Sequence, residues 1–130
     1  MLNRRRVFWP FLGYLCFVVY GSLIPFEYRA HSFDEAVAKF ADIPYLALGI
    51  ASRADWIANI VLYVPLSFLA CLWLGGVGRI KATQYLILPV VLSLVLVTAA
   101  GVEFAQIFFA PRTVSINDLI AETLGGLGGI

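Results

Sequence analysis

Three long apolar stretches constrain this sequence more than any other feature. They cover residues 7–25, 56–76 and 85–110, and an α-helix needs about 20 such residues to cross roughly 30 Å of hydrocarbon. A fourth apolar stretch begins near Ile116 and still continues at Ile130, where the sequence stops. We therefore expect an all-α membrane protein, a bundle of four transmembrane helices with a truncated fourth helix.

The composition indicates that lipid is the solvent for much of the chain. Hydrophobic residues make up 62% of the sequence and charged residues 13%, whereas a soluble domain has roughly 45–50% apolar residues. A chain of 130 residues has room for one domain, which we place at residues 1–130. Because no polar segment follows the fourth apolar stretch, we expect a fragment cut within or just after the fourth helix.

The basic residues lie unevenly along the chain and predict its orientation. The loop at 27–55 carries three basic and five acidic residues, a net charge of −2. The N-terminus and the turn at 77–84 carry basic residues and no acidic ones: Arg4, Arg5, Arg6, Arg79 and Lys81. By the positive-inside rule, we expect a multi-pass protein of the bacterial cytoplasmic (inner) membrane. Its N-terminus is then cytoplasmic, and the segments 26–55 and 110–116 are extracytoplasmic.

The extracytoplasmic loop contains one helical pattern. Ser32 and Glu35 have the spacing of a capping box, in which each side chain bonds the backbone of the other. The apolar residues Phe33, Val37 and Phe40 then recur at helical spacing, with Ala36 between them. We therefore predict a short amphipathic helix on the extracytoplasmic side. It is either a lid that packs on the bundle or a guide for a lipid-like ligand, and we favour the lid.

Polar side chains gather at the extracytoplasmic ends of the predicted helices. The second helix begins with an acid and an amide one turn apart, and the third ends with an acid and an amide three residues apart. An arginine follows in the outer turn, and two acids occupy the first two turns of the fourth helix. We predict one outward-facing ligand pocket lined by Asp55, Asn59, Glu103, Gln106, Arg112, Asp118 and Glu122.

Glu103 is the residue whose position most needs an explanation. A charged side chain costs about 2.5–3.5 kcal/mol at the centre of a bilayer on insertion scales, and the C-terminal end of a helix disfavours an anion. Asp55 and Asp118 lie near helix N-termini, where capping alone could account for them. Glu103 requires a proton or a cationic partner. We predict that Arg112 keeps Glu103 and Asp118 charged, and that these three are the candidates for any catalysis.

Glycine and proline positions predict how the helices pack. Gly125 and Gly129 form a Gly-x-x-x-Gly surface on the same face as the two acids of the fourth helix, which allows a close approach of helices. Pro65 lies in the middle of the second apolar stretch and predicts a kink there.

The sequence offers little for metal or nucleophilic chemistry. Cys16 and Cys71 both lie in apolar stretches, and His31 is the one histidine of the sequence. No metal-ligand spacing, Ser-His-Asp set, glycine-rich phosphate loop or basic stripe for nucleic acid is present. We therefore predict no metal, no cofactor and no nucleic-acid partner.

The order of the polar residues resembles that of the VanZ-like membrane proteins. The pattern is Asp55-x3-Asn59-x5-Pro65, then an E-x-x-Q pair, an arginine and the acid of the fourth helix. Its most specific part is the block GVEFAQIFFAPRTVSINDLIAETLGGLGG, and the resemblance extends from SLIPF at 22–26 onward. The resemblance implies a small four-helix membrane domain, in a family whose founding member is associated with resistance to teicoplanin. Two residues depart from the family pattern, Glu122 in place of asparagine and Ser67 in place of glycine.

Four classes of function remain, and we rank them. First is a VanZ-like protein that binds or shields an amphiphilic ligand, either a glycopeptide antibiotic or a lipid-linked envelope precursor, at the outer leaflet. Second is a membrane-embedded enzyme on a lipid-linked substrate, with Glu103 or Asp118 as acid or base and Arg112 on a phosphate or a developing anion. We lean against an enzyme because no nucleophile accompanies these residues. A structural role ranks third, and transport ranks last because no polar path is predicted on the cytoplasmic half.

Overall fold

The computed structural model describes residues 4–47, 49–75 and 81–130. Residues 77–80 of the predicted cytoplasmic turn at 77–84, including Arg79, lie outside the described residues. Within the described ranges the chain forms five helices and two short strands. In chain order they are α1 (Arg4–Leu23), β1 (Glu27–Tyr28), α2 (Phe33–Ala41), α3 (Ile50–Gly75), α4 (Lys81–Gln106), β2 (Phe109–Ala110) and α5 (Ile116–Gly128).

Three of these helices are long and apolar enough to cross a membrane. The segments are Arg4–Leu23, Arg53–Gly75 and Tyr85–Gln106, with mean hydropathies of 1.3, 2.1 and 2.4. The predicted all-helical class is therefore confirmed, and three of the helices are candidate membrane spans. Helix α5 has 13 residues and rises about 20 Å, which is less than the roughly 30 Å of hydrocarbon that a spanning helix crosses. The count of four transmembrane helices stays a prediction.

The core lies where α3 packs against α1, α4 and α5. Phe11 of α1 stacks on Trp73 of α3 with ring centroids 5.0 Å apart, and the Tyr14 hydroxyl donates to the carbonyl of Leu62 at 3.0 Å. Between helices in lipid, such van der Waals packing and hydrogen bonds replace the hydrophobic effect as the source of association. The buried core residues are Phe11, Val18, Tyr63, Leu66, Ala70, Val91, Val95 and Ala99.

The glycine face of α5 lies directly on α3, as the Gly-x-x-x-Gly spacing predicts. A Cβ atom at Gly125 would overlap the carbonyl oxygen of Ile60, and one at Gly129 would overlap the Ser67 hydroxyl. Ser67 is buried and its hydroxyl donates to the carbonyl of Tyr63 at 3.2 Å. Gly129, which caps the C-terminal end of α5, therefore leaves the room that Ser67 on α3 occupies.

The ends of four helices meet at one end of the bundle, which we call the polar end. It contains the C-terminal ends of α1 and α4 and the N-terminal parts of α3 and α5. The loops after α1 and α4 are joined there by an antiparallel ribbon, in which Glu27 pairs with Ala110 and Tyr28 with Phe109. The ribbon continues with a hydrogen bond from the Arg29 amide to the carbonyl of Phe108 at 2.8 Å. Two distant parts of the sequence are thereby fixed side by side.

The predicted amphipathic helix is present as α2, and its capping box is confirmed. The Ser32 amide donates to Glu35 Oε2 at 3.0 Å, and the Glu35 amide donates to Ser32 Oγ at 3.2 Å. Phe33 and Phe40 contact the ring of Phe104 near the end of α4, with centroids 6.1 and 5.6 Å apart. Phe33 remains 70% exposed, so the apolar side of α2 is only partly covered by the described chain.

Candidate functional site

A cavity of about 510 Å³ opens at the polar end, and we call it the polar-end cavity. Its walls come from α1, α3, α4, α5 and the turn before α5. None of the described residues of α2 lines it, so α2 lies beside the cavity. Six of the seven residues predicted for the pocket line it together: Asp55, Asn59, Glu103, Gln106, Arg112 and Asp118.

Glu103 is almost completely buried in the wall of this cavity, with 1% of its surface exposed. Its Oε2 accepts a hydrogen bond from the backbone amide of Ser115 at 3.2 Å. The other carboxyl oxygen accepts no hydrogen bond from the described residues. Unlike Glu122 Oε2, this oxygen is not sealed off inside the bundle, so it faces the open space of the cavity and can accept a hydrogen bond from a donor that enters.

Asp118, in contrast, has both carboxyl oxygens engaged. Asn59 Nδ2 donates to Oδ1 at 2.9 Å, and Ser115 Oγ donates to Oδ2 at 2.6 Å. The Asp118 amide in turn donates to Ser115 Oγ at 3.2 Å, so Ser115 caps α5. These bonds connect α3 to the start of α5 and hold the cavity wall together.

Arg112 lies at the exposed rim of the cavity and bonds to α1. Its Nε donates to the carbonyl of Ile24 at 2.8 Å, and its Nη2 donates to the carbonyl of Gly21 at 3.1 Å. The expected ion pair with Glu103 or Asp118 is not formed among the described residues, because the Arg112 donors bond to backbone carbonyl groups instead. The carbonyl groups at the C-terminal end of α1 attract a cation in the same way as an acid does, which explains the difference.

The remaining polar residues of the cavity leave further acceptors open. Gln106 Nε2 donates to the carbonyl of Ser22 at 3.1 Å, and its side-chain oxygen bonds to none of the described residues. The Asp55 carboxylate is exposed and bonds to none of them either, and Asn59 uses only its amide nitrogen. The cavity therefore presents mainly hydrogen-bond acceptors to whatever enters it.

Glu122, the seventh predicted residue, does not line the polar-end cavity. It is buried with 2% exposure, and its Oε2 has no hydrogen-bond partner among the described residues. The hydroxyl of Tyr63 on α3 also lacks a partner and lies close enough for the two groups to interact electrostatically. Tyr63 was not singled out in the sequence, although it continues the face of Asp55 and Asn59 at i+8 and i+4.

Ser115 and Asn117, which we did not assign to the site from the sequence, hold the walls of the cavity in place. Ser115 caps α5 and donates to both acids, and its place three residues before Asp118 is the spacing of an N-cap. Asn117 is buried, and its side chain accepts from the Leu46 amide at 2.7 Å and donates to the Leu46 carbonyl at 3.1 Å. It thereby binds the loop before α3 to α5. No pattern in the sequence identifies that distant partner.

A second cavity of about 550 Å³ adjoins the first on the side of α2, and we call it the basic pocket. Its charged lining residues include Arg29, Lys39 and Arg112, with Asp42 as an acid, and His31 also contributes. Arg112 lines both cavities. Among the described residues, no group of three or more histidine, cysteine, aspartate or glutamate side chains could hold a metal ion.

Comparison with known proteins agrees with the resemblance in the sequence. A family model described as VanZ/LLP1 matches residues 11–130. Neither the curated proteins nor the solved structures contain a match to the chain. The match covers nearly the whole sequence, including every residue that lines the polar-end cavity. The chain therefore belongs to the VanZ/LLP1 family.

Proposed function

We propose that this protein binds or shields an amphiphilic ligand, whose headgroup enters the polar-end cavity. The ligand is a glycopeptide antibiotic or a lipid-linked envelope precursor, and the role is of the antibiotic-resistance type. In this proposal the cavity faces outward from the bacterial cytoplasmic membrane, and the partners of the protein are membrane lipids and the ligand itself.

The observation that carries the proposal is the position of Glu103. Its carboxyl group is buried at the end of an apolar helix, yet one oxygen has no donor among the described residues and the residue lines a cavity. Ionisable residues at membrane depth mark ligand or ion sites by default. A purely structural role would favour bonding to both oxygens, as in Asp118.

An apolar groove supports an amphiphile rather than a water-soluble ligand. It has a volume of about 310 Å³ and runs between α1 and α4. Val19 and Ala105 lie at the end of the groove nearest the polar-end cavity. Gly21, two residues after Val19, and Gln106, directly after Ala105, line that cavity. A ligand can therefore place its headgroup in the cavity and an acyl chain in the groove.

The charges at the opposite end of the bundle support an outward-facing cavity. Arg4, at the start of α1, donates to the carbonyl of Leu74 at the end of α3. The basic N-terminus and the polar end are therefore at opposite ends of these helices. Because basic residues remain on the cytoplasmic side, the polar-end cavity belongs on the extracytoplasmic side.

The test compares wild-type protein with Glu103→Gln and with Asp34→Asn, an exposed acid on α2 that lines neither cavity. Each is assayed for teicoplanin susceptibility in cells and for binding of a lipid-linked precursor in nanodiscs, beside membrane abundance and melting temperature. We expect Glu103→Gln to fold and to lose both activities, and Asp34→Asn to keep them. Full activity in a well-folded Glu103→Gln protein would rule out the proposal.

The alternative is an enzyme in which Glu103 and Asp118 act as acid and base on a lipid-linked substrate. It is favoured by one observation, that the two residues line one cavity and lie close enough for their charges to interact. The same nanodisc samples decide the matter by mass spectrometry of the recovered precursor. A chemical change that requires Glu103 indicates an enzyme, and recovery of unchanged precursor indicates binding.

A further inference from the structure

The two cavities of the polar end have opposite charge. The polar-end cavity is lined by three acidic residues and one arginine: Asp55, Glu103, Asp118 and Arg112. The basic pocket is lined by three cationic residues and one acid, with a histidine in addition. Because Arg112 lines both, a single ligand at the rim can extend into each cavity.

The polar-end cavity is suited to a group that donates hydrogen bonds. Most of its open positions are acceptors, namely the free oxygens of Glu103, Gln106 and Asn59 and the carboxylate of Asp55. Glu103 is a buried side chain with an unpartnered oxygen in the cavity wall, which distinguishes this site from a cluster of acids on an exposed surface. Glu103 has no ion pair with Arg112, so an ammonium ion that enters the cavity supplies the cationic partner that its ionised form requires, whereas a phosphate would be repelled by the acidic side chains. A primary ammonium group supplies both the positive charge and three N–H donors.

The basic pocket is suited to a phosphate. Arg29 and Lys39 line it beside the exposed Arg112, and Lys39 Nζ lies 3.2 Å from His31 Nε2. Arginine and lysine side chains form charge-assisted hydrogen bonds with phosphate oxygens. Asp42 also lines the pocket, but one acid does not cancel three cationic side chains, so the net charge of the lining is positive.

We propose that the polar end recognises a headgroup that combines a primary amine with a phosphate. The ammonium group occupies the polar-end cavity, the phosphate occupies the basic pocket, and Arg112 lies between them. This inference rests on the proposed function and names the headgroup class of its ligand. The same chemistry occurs in a phosphoethanolamine lipid and in an amine-bearing, phosphate-linked envelope precursor, so the test includes both.

The first experiment measures retention of lipids by the purified protein with native mass spectrometry. Three phospholipids with identical acyl chains are compared: phosphatidylethanolamine, phosphatidylcholine and phosphatidylglycerol. Choline is cationic but has no N–H donor, and glycerol has no cation. We expect phosphatidylethanolamine to be retained about tenfold more than either, as for one or two charge-assisted hydrogen bonds. Equal retention of the ethanolamine and choline lipids would overturn the inference.

The second experiment identifies which cavity binds the amine of the headgroup and which binds the phosphate. Glu103→Gln should abolish the preference for ethanolamine over choline, and Asp55→Asn should reduce it, while the exposed position of Asp55 keeps that variant folded. Lys39→Gln should weaken the retention of all three phospholipids alike and leave the ratio of ethanolamine lipid to choline lipid unchanged. Asp34→Asn serves as the control and should match wild type. A ratio unaffected by both Glu103→Gln and Asp55→Asn would contradict the inference.

The third comparison separates the two sources of the headgroup. A lipid-linked precursor with a free amine is compared with the same molecule after acetylation of the amine. Loss of binding on acetylation supports the precursor as ligand, and retention of phosphatidylethanolamine alone supports the phospholipid. Two results together would contradict the headgroup inference: the precursor binds in a Glu103-dependent way that acetylation does not change, and the ethanolamine and choline lipids are retained equally. The proposed function would still hold in that case. Absence of any Glu103-dependent binding removes both.

Discussion

At the scale of single residues, the contacts at the polar-end cavity depend on backbone groups as well as on side chains. Six polar residues from three helices and the turn before α5 line one cavity, since depth along each helix follows from residue number at 1.5 Å per residue. Pairing depends on groups that carry no sequence signal. The carbonyl groups at the end of α1 bind Arg112, and the backbone amide of Ser115 binds Glu103. Every residue has such backbone groups, so residue types alone did not reveal these contacts.

Arg112 provides the first prediction at this scale. Arg112→Gln removes the charge and the two hydrogen bonds to the carbonyls of Gly21 and Ile24. Because the site is exposed, we expect a loss of about 1–2 kcal/mol in the free energy of unfolding. The measurement is thermal or denaturant unfolding in detergent, with Arg53→Gln, an exposed arginine on α3, as the matched control. An unchanged stability combined with lost ligand binding would show that Arg112 serves the ligand alone.

At the scale of elements, local patterns were the most dependable guide. The capping box of α2 and the glycine face of α5 were both read correctly, because each depends on residues within one or two turns. The length of α5 was harder to predict. Apolar sequence continues to the last residue, but the described helix has 13 residues, from Ile116 to Gly128. The short strands β1 and β2 were missed, since two-residue pairings between distant loops have no periodicity to detect.

The close approach of α5 to α3 can be tested with two glycines of the same helix. A Cβ atom at Gly125 would overlap the backbone of Ile60, whereas one at Gly128 would meet only Val64 Cγ2 at an ordinary 3.5 Å. We expect Gly125→Ala to lower the free energy of unfolding by about 1–3 kcal/mol through overpacking. Gly128→Ala should be neutral or raise it by up to about 1 kcal/mol through helix propensity. Equal stability of the two variants would contradict the observed packing.

The capping box of α2 predicts a dependence on pH. The hydrogen bond from the Ser32 amide lowers the pKa of the Glu35 carboxyl. A lowered pKa means that ionised Glu35 stabilises the folded helix above the ordinary pKa of a glutamate, and that this stabilisation is lost as the pH falls through the lowered pKa. We expect amide exchange in α2 to accelerate, relative to the rest of the chain, at acidic pH. In Glu35→Gln this acceleration should disappear, and a pH response equal to wild type in that variant would refute the assignment.

At the scale of the whole molecule, the basic pocket depends on how separate loops are brought to one end of the bundle. The basic pocket combines residues from 29–44 with residues from 107–114, and the ribbon of β1 and β2 holds these two segments together. From the sequence we predicted a short amphipathic helix in the first segment and favoured a lid on the bundle, but we predicted no second cavity. Hydrophobic periodicity reports which face of a helix is apolar, but it does not report which loop folds onto which.

The groove between α1 and α4 supplies the last prediction, which concerns the molecule as a receptor for an amphiphile. Gly101 lines the groove, and a Cβ atom there would meet nothing within 4 Å. Gly101→Leu therefore starts from an uncrowded Cβ position and adds a side chain to the lining of the groove that an acyl chain would occupy. Gly13 on α1 is also exposed and equally free of neighbours, but it lies outside the groove.

We expect both leucine variants to fold with stabilities within about 1 kcal/mol of wild type, because each replaces a helical glycine at an uncrowded position. Binding of a long-chain ligand should fall severalfold in Gly101→Leu and stay unchanged in Gly13→Leu, while a short-chain analogue with the same headgroup should bind both variants alike. The measurement is a titration of protein in nanodiscs with the two ligands. If Gly101→Leu binds the long-chain ligand as tightly as Gly13→Leu does, the acyl chain does not occupy this groove, and the headgroup cavity must then account for the affinity by itself.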